Sequence, residues 1–332
     1  MLAVIILNWN GKKVMEEFLP SVVRHTHGTD VEVIVADNGS TDDSVDWLER
    51  EYPELRLIKF TENYGFAGGY DRAIREVGAE YTLLLNSDVE VTEGWWQPLL
   101  SFMESHPVAG AVQPKILSYR SKGFFEHAGA AGGLLDRLGY PYCRGRILSR
   151  VDRDEGQFDS DAASEVAWAS GAAMLVRTKA YLEAGGLDEK FFAHMEEIDL
   201  CWRMRLAGYR IYALTSSVVY HLGGGALAYG NPRKTYLNFR NNLLMLHKNL
   251  PRRKGRRKLL LRRLADSLGF LFFILQGKWG DAKAVLKAHG DFRKMRRDYN
   301  DFPQEDVFDS IPGTGRYVYL DFLLGRKPYE TE

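Results

Sequence analysis

Residues 31–44 read VEVIVADNGSTDDS. The first six are rich in β-branched side chains, the signature of a strand buried inside a sheet. Asp-Asn-Gly-Ser then breaks the run, because these residues favour turns and helix caps. A strand that stops on a carboxylate delivers Asp37 to its own end. The small Gly39 and Ser40 leave room for a ligand to reach the backbone there. The same grammar recurs on both sides. Apolar runs at 2–7, 55–60 and 81–85 predict three more strands, and 12–25, 42–51 and 67–77 predict the helices between them. This is the rhythm of an α/β domain whose sheet is mostly parallel and lies between helices. Ligands of such sheets gather at the carboxyl ends of the strands. The polar residues that close the four runs are Asn8, Asp37, Asn63 and Asp88.

Past this half the pattern loosens. Residues 118–164 are rich in Gly, Arg and Asp and have no period, as an excursion beside a site would be. Periodicity returns in VAWASGAAMLV at 166–176, and a helix is predicted from 196 to about 206. The last hundred residues read as helical.

Composition bounds the class. The chain has 332 residues, 45% of them hydrophobic and 27% charged, enough for a globular protein with a sizeable core. Cys143 and Cys201 are too few and too far apart for a disulfide framework or a zinc cluster, which points to a reducing compartment. The first apolar run is only about seven residues long and has no basic flank, so no secretory signal is expected. The longest apolar stretch, LGFLFFIL at 268–275, is far below the ~20 residues of a spanning helix. A cytoplasmic protein that lies on a membrane without crossing it is the expectation.

The formal net charge is zero, yet residues 233–297 hold 19 Lys or Arg against 3 Asp or Glu. The remainder carries 25 basic and 41 acidic residues. Segregation of this kind, with PRRKGRRK set ahead of an apolar run, predicts peripheral contact with an anionic membrane surface. Nucleic-acid binding is not expected, because no base-stacking module accompanies the charge.

Several short motifs carry chemistry. Asp88 ends the strand of LLLNSDVEV, where one carboxylate suits a hard divalent cation that keeps substrate phosphates in its shell. Asn86 stands beside it as a supporting donor. The segment FFAHMEEIDLCWR packs Glu196, Glu197 and Asp199 into four residues at a helix start. Capping accounts for some acid there, but three exceed it, and one in a closed site would serve as general base. His221 follows a strand and precedes three glycines, a setting in which imidazole approaches a ligand or a metal. The run NYGFAGGYDRAI, with Gly68 among its glycines, opens a helix whose first N–H groups are available to an anion. It lacks the dinucleotide spacing, which disfavours hydride transfer. Asn8, Asp37, Asn38, Asn63, Gly68, Asn86 and Asp88 form the candidate ligand-binding set.

Taken together, LNWNG, VADNGSTDDS, NYGFAGGYDRAI, LLLNSDVEV, WASGAAMLVR, FFAHMEEIDLCWR and VVYHLGGG resemble, in order, the family 2 glycosyltransferases of GT-A fold. The likeness covers about residues 1–250 and is to the rhamnosyltransferase-like and galactofuranosyltransferase-like branch. It implies a catalytic GT-A domain over 1–232, with a donor half at about 1–117 and an acceptor half at about 165–232. A basic helical extension over 233–332 follows. It implies that Asp37 contacts the nucleoside, that Asp88 and His221 hold Mg2+ or Mn2+ and through it the diphosphate, and that Glu197 is the base, with Asp199 a further acid. It implies an inverting transfer from a dTDP-rhamnose-like or UDP-sugar donor to a saccharide or lipid-linked acceptor in surface polysaccharide assembly. Homo-oligomerisation stays open. Two departures stand out. The metal motif reads Asn86-Ser87-Asp88, without its first acid, and the usual Glu-Asp pair reads Glu196-Glu197. A sugar-phosphate nucleotidyltransferase would need a glycine-rich basic loop after the first strand, where LNWNGKK has only Gly11. A non-catalytic nucleotide-sugar-binding protein would show substituted acids, whereas Asp88, Glu197 and His221 are all present.

Overall fold

A computed structural model describes residues 1–160, 162–223 and 231–326. Gly224 and Gly225 of the stretch after His221 lie outside the described residues. The first half alternates as the sequence predicts: β1 (Leu2–Asn8), α1 (Lys12–His25), β2 (Val31–Asn38), α2 (Ser44–Glu51), β3 (Arg56–Phe60), α3 (Gly65–Val77) and β4 (Tyr81–Asn86). β5 (Val89–Val91), α4 (Gln97–Ser105) and β6 (Ala109–Ser118) follow. The excursion then forms a small antiparallel sheet of β7 (Gly133–Leu135), β8 (Pro141–Cys143), β9 (Arg146–Ile147) and β10 (Arg150–Val151). The chain returns through β11 (Ser164–Glu165), β12 (Ala173–Arg177), α5 (Thr178–Glu183), α6 (Glu196–Leu206) and β13 (Arg210–His221). It ends in α7 (Pro232–Asn249), α8 (Arg252–Leu275), α9 (Trp279–Met295) and α10 (Val318–Leu323).

The main sheet runs β11-β13-β6-β12-β4-β1-β2-β3, with β5 on β13. Its parallel half is β4-β1-β2-β3, and its central strands are apolar on both faces because helices cover both. The sheet lies between helices as expected, and its other half is mixed, with β13 parallel to β6. β12 runs antiparallel between β4 and β6, and β5 and β11 run antiparallel to β13. The reason is connectivity: β12 and β5 are reached without the helical crossover that a parallel neighbour requires. Helix α1 buries Met15, Phe18, Leu19 and Val22, the spacing of one helical face, and Met15, Leu19 and Val22 join a core shared with α2 and α4. α3, α5, α6 and α7 build the core of the opposite face. Gly69 permits this packing, since a Cβ there would lie 2.8 Å from Leu7.

The boundary expected at 232/233 falls at the start of α7, and residues on its two sides share one core. Leu243, Leu244, Leu246, Leu250 and Leu259 belong to the same buried cluster as Phe191, Trp202 and Ile198. A buried ion pair reinforces the joint. Arg262 meets Asp266 at 3.2 Å and stacks 3.6 Å from the Tyr140 ring centroid. Asp266 also accepts from Tyr140 at 2.6 Å, and His289 Nε2 lies 3.0 Å from it. Arg262 further donates to Asn242, whose amide donates to Gly139 O at 2.8 Å. Arg262 and Asp266 are each 1% exposed, so loss of either partner would leave a buried charge uncompensated.

Candidate active site

Parallel register puts the functional strand ends side by side: Asn8 pairs with Asp37 across β1 and β2, and Leu7 with Asn86 across β1 and β4. Asn8 Nδ2 donates to Asp37 Oδ1 at 2.8 Å and to Ser40 Oγ at 3.1 Å. Ser40 N donates to Asp37 Oδ2 at 3.0 Å, so the turn after β2 fixes the carboxylate. Asn8 Oδ1 is buried without a hydrogen-bond partner among the described residues. It also lies 2.6 Å from where a Cβ on Gly11 would stand, so only glycine fits there.

Three members of the expected donor set have contacts within the protein. Asn38 Nδ2 donates to Asn63 Oδ1 at 3.1 Å and to Gly65 O at 3.0 Å, and its Oδ1 accepts from Tyr64 N. Asn63 Oδ1 also accepts from Gly65 N. The two amides therefore latch the loop after β3 to the end of β2. At Gly68 a Cβ would come within 3.0 Å of Tyr64 and 3.1 Å of Arg72, so packing explains that glycine. The start of α3 is also taken, for Phe66 N and Ala67 N both donate to Phe192 O. A protein loop has occupied the N–H groups expected to be free for an anion.

Asp88 and His221 meet as the sequence reading expects. β13 carries His221 beside Val89 of β5, and Leu222 N donates to Asp88 O at 3.0 Å. His221 Nε2 lies 3.0 Å from Asp88 Oδ1, and its Nδ1 lies 3.3 Å from Glu126 Oε2. Glu126 comes from the unperiodic excursion, and no signal in the sequence marks it. Burial alone would lower the pKa of His221, but the hydrogen bonds and charges of Asp88 and Glu126 outweigh it and raise it to about 10. A carboxylate on the far ring nitrogen is the usual partner of a metal-binding histidine. Among the described residues no cluster of three or more His, Cys, Asp or Glu is arranged to hold a metal alone. Two protein ligands suit a hard cation that completes its shell with substrate phosphates.

The acid cluster divides. Glu196 is 4% exposed, while Glu197 is partly exposed. Each has one carboxylate oxygen with no hydrogen-bond partner among the described residues. Burial and then the charge of Glu197 push the Glu196 carboxyl well above its ordinary range. Burial raises Glu197 to about 7, against the pull of backbone N–H groups at the helix start. Glu197, the less buried of the two, is the one with access to a ligand. Asp199 has a different place. It is wholly buried, pairs with Arg203 at 2.8 Å and Lys248 at 2.9 Å, and accepts from Asn249 at 2.8 Å. Burial would raise its pKa, but Arg203 and Lys248 hold it low. This carboxylate ties α6 to α7 and, with Arg203, Lys248 and Asn249 around it, lies wholly buried. Gly171 brings the acid pair to the strand ends. Its neighbour Ala172 accepts from Asn86 N at 2.9 Å, and a Cβ on Gly171 would stand 3.1 Å from Phe66 and 3.8 Å from Glu197.

Just before Glu196 the backbone is strained. Phe192, His194 and Met195 have φ of +66°, +70° and +73°, a region that costs about 1–3 kcal/mol per non-glycine residue. α7 supplies the restraint. The Asn241 amide donates to Phe191 O at 3.0 Å, Ala193 O at 2.9 Å and His194 O at 2.7 Å. Arg240 adds a bond to Phe191 O at 2.9 Å. Sequence reasoning missed both residues. Their one signal is the polar run Arg240-Asn241-Asn242 within an otherwise apolar stretch of helix.

Comparison with known proteins bears on this geometry. Residues 3–164 match the family model described as Glycosyl transferase family 2. The N-acetylglucosaminyl-diphospho-decaprenol L-rhamnosyltransferase of Mycobacterium tuberculosis is 29% identical over 238 residues, covering 67% of this chain and 76% of its own length. The structure of S. aureus TarS 1–349 in complex with UDP-GlcNAc superposes with a TM-score of 0.57 at 18% identity, over 88% of this chain and 80% of that one. The mannosyltransferase PcManGT from Pyrobaculum calidifontis, in complex with GDP-Man and Mn2+, gives 0.53 at 16% identity over 86% and 85%. At such identities the two structures speak for the fold alone.

Asn241 is a positioning residue by this geometry. Asn241→Ala leaves three carbonyls without that donor and frees the strained loop. The expected result is a fall in kcat of about 10–100-fold with little change in donor KM, together with a lower Tm. An unchanged kcat would mean that Arg240 and α3 hold the loop by themselves.

Proposed function

This chain is a glycosyltransferase that carries a family 2 domain of GT-A fold, and from that premise we propose that it transfers a single sugar, with inversion, from a nucleoside-diphosphate sugar to a hydroxyl of a saccharide or lipid-linked acceptor. The observation that carries the reading is the pairing of two sites across Gly171: Asp88 with His221 at the strand ends, and Glu197 beside Phe66. A dTDP-rhamnose-like donor is favoured by the likeness to the mycobacterial rhamnosyltransferase, and a UDP-sugar is the other candidate. The lipid-linked acceptor, and a place in cell-surface polysaccharide assembly, rest on that relative's name.

Asp37 and Asn8 would receive the nucleoside, since their carboxylate and amide stand at adjacent strand ends. Asp88 and His221 would hold Mg2+ or Mn2+, with Glu126 keeping the imidazole in place. The mannosyltransferase structure of the same fold is itself a complex with Mn2+. When bound, such a cation supplies positive charge to the departing diphosphate. Glu197 accepts the acceptor's proton as its oxygen bonds to the anomeric carbon, and the bond to the nucleoside diphosphate breaks on the opposite face. Glu196 beside it is more deeply buried, and burial and the neighbouring charge hold its carboxyl above the ordinary range. One displacement with one base inverts the anomeric centre.

Glu197→Gln is expected to keep donor affinity and to lower the transfer rate by about 10²–10⁴, whereas Glu196→Gln retains most activity. Wild-type kcat should rise as pH climbs through about 7 and then level off, because a carboxyl with a raised pKa becomes a base only above it. Proton NMR of the product linkage should show inversion; retention would sink the single-displacement scheme.

The cation site has its own test. Asp88→Ala and His221→Ala should each weaken donor binding in the presence of Mn2+ and leave it unaltered in excess chelator. Full transfer activity in chelator would remove the cation from the scheme.

No described helix is long and apolar enough to cross a membrane, but α8 carries an exposed apolar stripe. Leu260, Leu264, Leu268, Leu271, Phe272 and Leu275 are all exposed, and at 3.6 residues per turn they fall within about 120° of arc. The exposed Arg253 and Arg257 continue that arc toward the start of α8. Apolar side chains below cations on one face fit an anionic lipid surface, and we place α8 against one. The protein should co-sediment with phosphatidylglycerol vesicles but not with phosphatidylcholine, and replacing Leu264, Leu268 and Leu271 by Ser should abolish this.

A further inference from the structure

The cations of α8 fall into sets with different surroundings. Lys254, Lys258 and Arg262 recur every four residues and face the protein. Lys254 pairs with Asp306 at 2.6 Å and Asp309 at 2.8 Å, Lys258 donates to Arg137 O at 2.7 Å, and Arg262 pairs with Asp266. Arg252, Arg256 and Arg263 turn elsewhere. They meet Arg296 and Arg297, from the turn Arg296–Asp298 after α9, around an open cleft of about 500 Å³. Among the described residues none of these five arginines pairs with a carboxylate, and no acid lines the cleft. The convergence is built and not incidental to one helix. His247 Nε2 lies 3.2 Å from both Arg296 O and Tyr299 O, which pins the second wall of the cleft to α7.

Five guanidinium groups around one cavity repel one another, and a Debye length of about 8 Å in physiological salt screens near neighbours incompletely. A multivalent anion converts that repulsion into attraction. The planar fork of arginine matches phosphate oxygens two at a time. Asn300 adds a side-chain amide to the lining, and Leu260 marks where the cleft meets the exposed stripe of α8. The donor-binding residues stand elsewhere, at the ends of the sheet strands.

We propose that this cleft is a phosphate-binding site, taking a diphosphate or phosphodiester group at a place distinct from the nucleotide-sugar site. Phosphate can come from a lipid headgroup or from a soluble ligand, so the inference does not depend on the membrane reading.

The test has two arms on the full chain. In the first, inorganic pyrophosphate is titrated calorimetrically in excess chelator, so that no cation assists the donor site. Wild type should bind it, and the triple variant Arg256→Gln, Arg263→Gln, Arg297→Gln should bind at least about tenfold more weakly. Pyrophosphate should also raise the Tm of wild type and not of the variant. These side chains are exposed, so the variant is expected to fold, and the single variant Arg263→Gln should show the same trend if the triple does not. In the second arm both proteins meet phosphatidylglycerol and phosphatidylcholine vesicles. Joint loss of pyrophosphate and phosphatidylglycerol binding assigns the cleft to lipid headgroups. Loss of pyrophosphate with vesicle binding intact assigns it to a soluble phosphate. Equal pyrophosphate binding by wild type and variants, or none by wild type, overturns the proposal whatever the vesicles do. Pyrophosphate binding in the cleft by a wild type that ignores phosphatidylglycerol leaves the cleft standing and removes only the membrane reading.

Discussion

Phe192, His194 and Met195 hold left-handed backbone angles immediately before α6, without the freedom of glycine. Such a path exists only where the surroundings over-determine it. Three sources do so here. The start of α3 donates two N–H groups to Phe192 O, Asn241 donates to three carbonyls, and Arg240 donates to Phe191 O and Lys190 O. The strain sets where Glu196 and Glu197 begin their helix, and so where the two acids stand relative to the strand ends. A relaxed loop would place the same acids at a different angle, and an error of about 1 Å at a reacting centre is costly.

This constraint explains why the C-terminal helices are fused to the catalytic core. α7 has to reach the loop with Asn241, so its own position has to be fixed. Lys248 bridges Asp188 at 2.6 Å and Asp199 at 2.9 Å, joining the two ends of the strained segment to the same helix. Tyr299 donates to Asp188 at 2.8 Å from beyond α9. The Arg262–Asp266 pair then locks α8 to α7 and to the excursion. Buried charges of this kind add little net stability. They fix register, and register is what a positioning helix needs.

The excursion has the same logic. Its lack of period hides a compact antiparallel sheet, and its role at the site is a single side chain, Glu126, delivered to His221 Nδ1. Asp88, His221 and Glu126 come from three separate parts of the chain. The fold brings them together because β13 lies parallel to β6 and antiparallel to β5, which sets His221 opposite Ser118 and Val89.

Much of this was legible in the chain itself. Periodicity and turn chemistry located β1 to β4, α1 to α3 and α6, because each is a local pattern of burial that the sequence carries whole. The strand-end rule sets Asn8, Asp37 and Asp88 at the ends of buried strands, where the fold also has them, and Asp88 lies 3.0 Å from His221. What the sequence could not decide was partnership. Asn38, Asn63 and the first N–H groups of α3 looked available to a ligand, and the structure shows each one satisfied by the protein. Asp199 looked like a third catalytic acid, and Lys248, forty-nine residues away, claims it. The basic run of α8 looked uniform, and helical geometry divides it between buried pairs and an unpaired cleft. Residue type and spacing determine which elements form and which chemistry a side chain can perform. Whether a polar group is spent inside the protein or left for a ligand depends on contacts between distant segments, and those are fixed only when the tertiary structure closes.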